Sequence, residues 1–155
     1  MDLTTLLFSF NGRINRAKYW LAVSIYVAAW IAFAGIALLV IGDLNKDDRF
    51  AFAGTGIVLW LGGVLLFLIG VWSGLAVGIK RLHDRDKSAW WLLLFWLGPS
   101  LLGGGSRTVL HGGSSLVSSL LSAAISIWAF VELGCLRGTP GPNLYGPDPL
   151  APPEY

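Results

Sequence analysis

The chain has little charge: Asp, Glu, Lys and Arg make up 13% of its 155 residues, against roughly 25% in an average soluble domain. A soluble domain of this size could not clothe its surface with so few polar groups. Cysteine is nearly absent. Cys135 stands alone, which excludes an internal disulfide and a cysteine-based zinc site and leaves one thiol, inert if buried and reactive if activated. Histidine is limited to His83 and His111, too few for a metal-dependent hydrolase. The net charge is only +2, with no basic cluster of the kind nucleic acid requires. There is no G-x-S-x-G, no phosphate-cradling loop and no H-E-x-x-H. Nor is there a secretory leader: the first apolar run starts near Tyr19, is too long for an h-region and lacks a small-residue cleavage site.

Apolar side chains abound, at 55% of the residues, together with eight Trp and twenty Gly, and the mean hydropathy is +0.67. Uncharged runs too long for a soluble core make lipid the expected solvent. The expectation is an all-α integral membrane protein, a single domain over residues 1–155, built as a bundle of four transmembrane helices. The spans are expected at about 19–41, 55–79, 88–105 and 116–134. The first, at about 1.5 Å per residue, covers a hydrocarbon layer of about 30 Å. The third is shorter and contains Pro99, so it reads either as a kinked span or as a re-entrant hairpin, whose freed backbone groups would need protein or water around them. Residues 135–155 form a Pro/Gly-rich tail of turns.

Charge is concentrated where the apolar runs stop. The octet K-R-L-H-D-R-D-K, Lys80 to Lys87, carries six charged side chains and reads as the loop between the second and third spans. Arg13, Arg16, Lys18 and Arg137 fall on the same side as this octet, whereas Lys46, Arg49 and Arg107 fall on the other. By the excess of Lys and Arg in cytoplasmic loops, both termini and the octet are assigned to the cytoplasm. His83 and His111 then lie on opposite sides and cannot share a metal.

Within the spans, Gly70, Gly74 and Gly78 recur every four residues, as do Ser118, Ser122 and Ser126. Small residues at this spacing let helix backbones approach closely, within the bundle or against another subunit. Trp20, Trp90, Trp91 and Tyr19 sit at the level of an interfacial aromatic belt. Trp30, Trp60, Trp72 and Trp96 lie deeper, where an indole N–H wants a partner. Glu132 is the one acid within an apolar run. It reads as half of an ion pair with Arg13, Arg16, Lys80 or Arg81, or else as a proton-relay or substrate group. His83-Asp84 reads as a hydrogen-bonded structural pair, with a catalytic role as the alternative. The basic rim suits anionic lipid head groups.

Three blocks resemble one family, the small inner-membrane proteins classed as domain of unknown function 805 (YhaH-like). The first is F-x-G-R-x-x-R-x-x-[FY]-W, here Phe10 to Trp20. The second is R-R-L-H-D followed by S-G-W-W, here Lys80 to Trp91 with Lys80 for the first Arg and Ala89 for Gly. The third is G-T-x-G-x-N-x-Y-G-x-D-P, here Gly138 to Pro149. The linker G-G-G-S-R-T-V-L-H-G-G-S-S is longer than the resemblance leads one to expect. The resemblance implies a helical domain of the bacterial inner membrane and supplies no activity. Because the topology puts all three blocks on one face, they are expected to meet there. Arg13, Arg16 and Arg81 would offer fork-shaped donors and Asp84 and Asp148 carboxylates, with His83, Asn143 and Tyr145 bridging them. No catalytic residue, metal or cofactor is assigned. The expected role is that of an accessory, assembly or scaffolding subunit with a protein partner in the membrane, and the alternative is a small oligomeric transporter or lipid-handling protein.

Overall fold

The computed structural model describes residues 2–42, 49–104 and 115–151, and all of its regular elements are helices. A short α1 (Leu3–Phe8) leads through a turn into α2 (Arg16–Gly42), followed by α3 (Arg49–Asp84), α4 (Trp90–Gly104) and α5 (Ser115–Phe130). The last widens into a π-helical turn, Val131–Cys135. The loop through Lys46, the linker holding Arg107 and His111, and the final four residues lie outside the described residues. Three helical stretches, Arg16–Gly42, Phe50–Asp84 and Leu116–Cys135, are long and apolar enough to cross a membrane, and Trp90–Leu102 is a shorter apolar helix.

Consecutive helices run antiparallel. Phe33 of α2 covers Gly62 and Gly63 of α3, and nearer the other end Tyr26 donates to Ser73 Oγ at 2.8 Å. In α3, Gly74 faces Trp96 and Gly78 faces Leu92 of α4. Between α4 and α5, Gly98 meets Ile125, and Trp91 and Phe95 pack edge-on against Trp128 at 5.3 Å. The start of α2, the end of α3, the start of α4 and the end of α5 therefore gather at one end of the molecule.

The core is confined to that end. Leu6, Ile14, Ala22 and Val77 form one buried cluster, and Leu82, Leu92, Phe95 and Leu133 another. Elsewhere the helices present apolar side chains outward, as Leu38, Leu39 and Ile31 do, which fits hydrocarbon as the solvent. The deeper tryptophans divide. Trp96 packs on Gly74, whereas Trp60 and Trp72 are exposed, facing where lipid would be.

Several boundaries differ from the sequence expectation. The stretch Lys80 to Asp84 is not a loop: α3 continues through it for 36 residues in all. Nothing between Ile79 and Asp84 breaks a helix, and Arg81 and His83 suit the negative end of the helix dipole. The helix stops in a Schellman arrangement. Lys87 N donates to Leu82 O and Asp86 N to His83 O, with Asp86 at φ +55°, in the left-handed position that glycine usually fills. The helix α1 has no counterpart in the expected spans. Pro99 lies inside α4, and nearby serines attend the backbone. Ser122 donates to the Pro99 carbonyl at 3.1 Å and Ser100 to that of Trp96 at 3.1 Å.

Candidate functional site

Among the described residues, six polar or charged side chains are buried: Arg13, Ser73, Lys80, Arg81, Asp84 and Glu132. All belong to the crowded end, and together with the tail they form a cap over it.

Asp84, on the last turn of α3, is the hub. Arg13 approaches one carboxylate oxygen through Nε at 3.3 Å and Nη2 at 3.2 Å, and Arg81 donates to the other at 2.6 Å. These pairs are almost completely shielded from solvent. Burying such charges is costly, and only further hydrogen bonds to the leftover donors offset it. The tail supplies them. Arg13 Nη1 donates to Gly141 O at 2.7 Å and to Gly146 O at 3.2 Å, and its Nη2 donates to Thr139 O at 2.6 Å. Thr139 N donates back to Asp84 O at 2.8 Å. Gly138 crosses so close to the carboxylate that an added Cβ would sit 2.1 Å from Asp84 Oδ2, so only glycine fits there. Gly12, at φ +89°, makes the turn that aims Arg13 inward.

The π-helical turn gives the second half of the cap. The last carbonyls of a helix have no intrahelical donor, and here five consecutive ones receive side chains from elsewhere. Arg81 Nε donates to Leu133 O at 2.7 Å, Trp20 Nε1 to Gly134 O at 3.0 Å and Arg16 Nη1 to Cys135 O at 3.5 Å. Arg81 Nη2 and Arg85 Nη1 serve Leu136 O and Arg137 O. Trp20 also lies flat against Gly134, whose Cβ would meet the ring at 2.9 Å.

Lys80, wholly buried, has no carboxylate partner among the described residues. Its ammonium donates to Thr5 O at 2.7 Å and Leu6 O at 2.6 Å, and Ser73 Oγ donates to Leu7 O at 2.7 Å. These donors satisfy the free carbonyls of α1 and hold it against α3. Sequence reasoning missed this role, since backbone acceptors have no residue type to recognise.

The remaining expected residues fall out as follows. Tyr145 stacks on His83, ring centroids 3.9 Å apart and planes within 5°. Asn143 Nδ2 donates to the His83 carbonyl at 2.9 Å and to Thr139 Oγ1 at 3.0 Å. His83, Asn143 and Tyr145 thus clasp the tail to the helix end and do not bridge guanidiniums to carboxylates. Asp148 makes no ion pair among the described residues. It accepts from Gly141 N and Leu150 N, at 3.0 Å and 2.9 Å, and those two amides hold its carboxyl below the usual range. Arg16 stands at the exposed rim. Glu132 pairs with Arg85 at 3.0 Å and Lys87 at 3.6 Å, replacing the expected Arg13, Arg16, Lys80 or Arg81. Arg13 and Arg81 are taken by Asp84 and by backbone carbonyls, Lys80 by the carbonyls of α1 and Arg16 by that of Cys135. Arg85 and Lys87 follow the end of α3 and reach the Glu132 carboxylate. Lys87 also lies 4.9 Å above the Trp91 ring.

Of the glycine stripe, Gly74 and Gly78 are contact points and Gly70 has open space before it. Gly70 and Gly74 line an apolar groove of about 650 Å³ between α2, α3 and α4, walled by Tyr19, Trp30, Trp96 and Leu97. Of the serine stripe, Ser122 reaches α4 and Ser126 donates to the carbonyl of Ser122; Ser118 has partners of its own. No group of three or more His, Cys, Asp or Glu able to hold a metal occurs among the described residues.

Long apolar helices closed at one end by a buried ionic cap define a helical integral membrane protein. The chain belongs to the family described as "Protein of unknown function (DUF805)", whose model matches residues 7–147. It is 32% identical over 145 residues to Inner membrane protein YhaH of Escherichia coli (strain K12), covering 93% of this chain and 89% of that one. It is 30% identical over 148 residues to Uncharacterized protein YiiR of the same organism, covering 96% and 90%. It is also 26% identical over 140 residues to Inner membrane protein YhaI, covering 90% and 85%. No solved structure matches significantly.

Proposed function

We propose that this chain is a non-enzymatic inner-membrane protein with four crossings and cytoplasmic termini, serving as an accessory, assembly or scaffolding subunit of a larger membrane complex. The observation that carries the reading is how the motif residues are used. Arg13, Arg81 and Asp84 are spent on one another and on the chain's own carbonyls, which suits a structural weld better than a reaction centre. The course of the chain supports the fourth crossing: α3 and α5 both finish at the cap, so the segment between them leaves it with α4 and returns with α5. The cytoplasmic assignment follows from the Lys and Arg majority on the cap side. A partner helix is expected in the groove beside Gly70, where small residues permit close approach.

Purification of the intact protein in mild detergent, followed by identification of what accompanies it stoichiometrically, tests the reading. A membrane protein retained by the native chain and lost on Gly70→Phe, a substitution that projects into the groove from a position where an added Cβ has open space, supports it. A clean homo-oligomer with no companion sinks it. That outcome favours the second reading, a lipid-handling oligomer, for which the same groove would hold an acyl chain.

A further inference from the structure

The buried part of the cap is electrically lopsided. The buried cations Arg13, Lys80 and Arg81 outnumber the buried carboxylates of Asp84 and Glu132, leaving an excess of positive charge behind the cap's outer wall. In that wall lies a cavity of about 350 Å³ lined by Asn15, Arg16, Asp84, Arg137, Thr139 and Asp148 among others. Its acceptors are already occupied. Asp84 is taken by Arg13 and Arg81, and both oxygens of Asp148 accept backbone amides. Thr139 Oγ1 donates to Asp84 O and accepts from Asn143. Its donors are not. Among the described residues no acceptor lies within hydrogen-bonding distance of the Arg137 guanidinium, and Arg16 makes a single contact of 3.5 Å. Each guanidinium carries five N–H groups in a fork that fits two oxygens of one anion.

We infer that this cavity is a phosphate-binding site, with Arg16 and Arg137 as its two clamps and Asn15 beside them. Asn15 already commits its carbonyl oxygen to Lys18 N, at 2.9 Å, and its amide can turn toward the anion. The cavity adjoins the first turn of α2, one turn before Tyr19 and Trp20. That is the depth at which phospholipid phosphates lie. The chemistry recognised is a phosphate whose negative charge no attached cation offsets, supplied by an anionic phospholipid head group or by a soluble phosphate compound. The site is independent of whether the protein serves a larger complex.

The full-length protein, purified in a neutral detergent, is heated with added phosphatidylglycerol, with phosphatidylcholine, or with inorganic phosphate, and unfolding is followed by tryptophan fluorescence. Phosphatidylglycerol is expected to stabilise the native chain and phosphatidylcholine to do nothing. Loss of one clamp should weaken binding about tenfold, the scale of one charge-assisted hydrogen bond. Arg137→Gln is the decisive variant because its side chain has no contact whose loss could disturb the fold; Arg16→Gln is the second. Lys18→Gln removes the same charge outside the cavity and should leave binding unchanged. Stabilisation by inorganic phosphate alone, abolished in Arg137→Gln, upholds the site and makes its ligand soluble. Equal losses in Lys18→Gln and Arg137→Gln would reduce the effect to diffuse attraction and overturn the site, as would no stabilisation by any additive.

Discussion

Asp84 ties the end of α3 to Arg13, 71 positions away, while the same carboxylate serves Arg81. Removing it leaves two buried guanidiniums without a counter-charge. Asp84→Ala is therefore expected to cost about 3–5 kcal/mol, seen as an early unfolding transition in detergent, and Asp84→Asn to cost less because it keeps an acceptor. Gly138→Ala sets a methyl against that carboxylate and should loosen the tail by about 1–3 kcal/mol, the scale of an overpacked core. Proteolysis of the C-terminal segment measures it. Asp148 adds a pH dependence. Its carboxyl is held low by two backbone amides, so its contribution is complete above the ordinary value of 3.8 and is lost as pH falls through its lower folded value. The tail should remain clasped at pH 5 and become protease-sensitive only in stronger acid. Arg13, Arg81 and Asp84 could be read from the sequence as one cluster because unlike charges in an oily chain must find each other. The contacts of Lys80 could not, since they rest on carbonyls that every residue carries.

The helices show the same division. Hydropathy identifies where the long apolar segments run, because each must match the hydrocarbon thickness. It does not report where a helix stops once past lipid, and α3 outruns its apolar stretch by carrying Lys80 to Asp84 on its last turns. Six residues of α1 are too few for any periodic signal. The glycine stripe likewise has a regular spacing and unequal surroundings. Gly74→Leu forces Trp96 aside from 3.2 Å, and should lower stability by about 1–3 kcal/mol. At Gly70 an added Cβ meets nothing within 4 Å, so Gly70→Leu should leave the isolated protein as stable as before. Thermal melts of the two variants side by side decide whether the stripe is one interface or two environments.

Taken whole, the molecule is tightly made at the cap and loosely made away from it, since its buried clusters all lie at one end. Hydrogen exchange in micelles should be slowest around residues 76–84 and 131–136 and markedly faster toward residue 60. The single cysteine offers a test of orientation without engineering, because Cys135 is exposed at the rim of the cap. A membrane-impermeant maleimide is expected to label it in inverted vesicles and not in intact spheroplasts, and the reverse pattern would turn the proposed topology over.

The carbonyl acceptors that close Arg13's shell come from Thr139, Gly141 and Gly146, all of them later in the chain than its long apolar helices. A ribosome making this protein therefore threads its helices into the bilayer long before the first arginine can be satisfied. Until residues 139 to 146 emerge, a nascent chain displays unquenched guanidinium beside the lipid surface. The cap can therefore close only after its helices have been made, and a chain that stops short of residue 139 exposes a charge that the longer chain conceals.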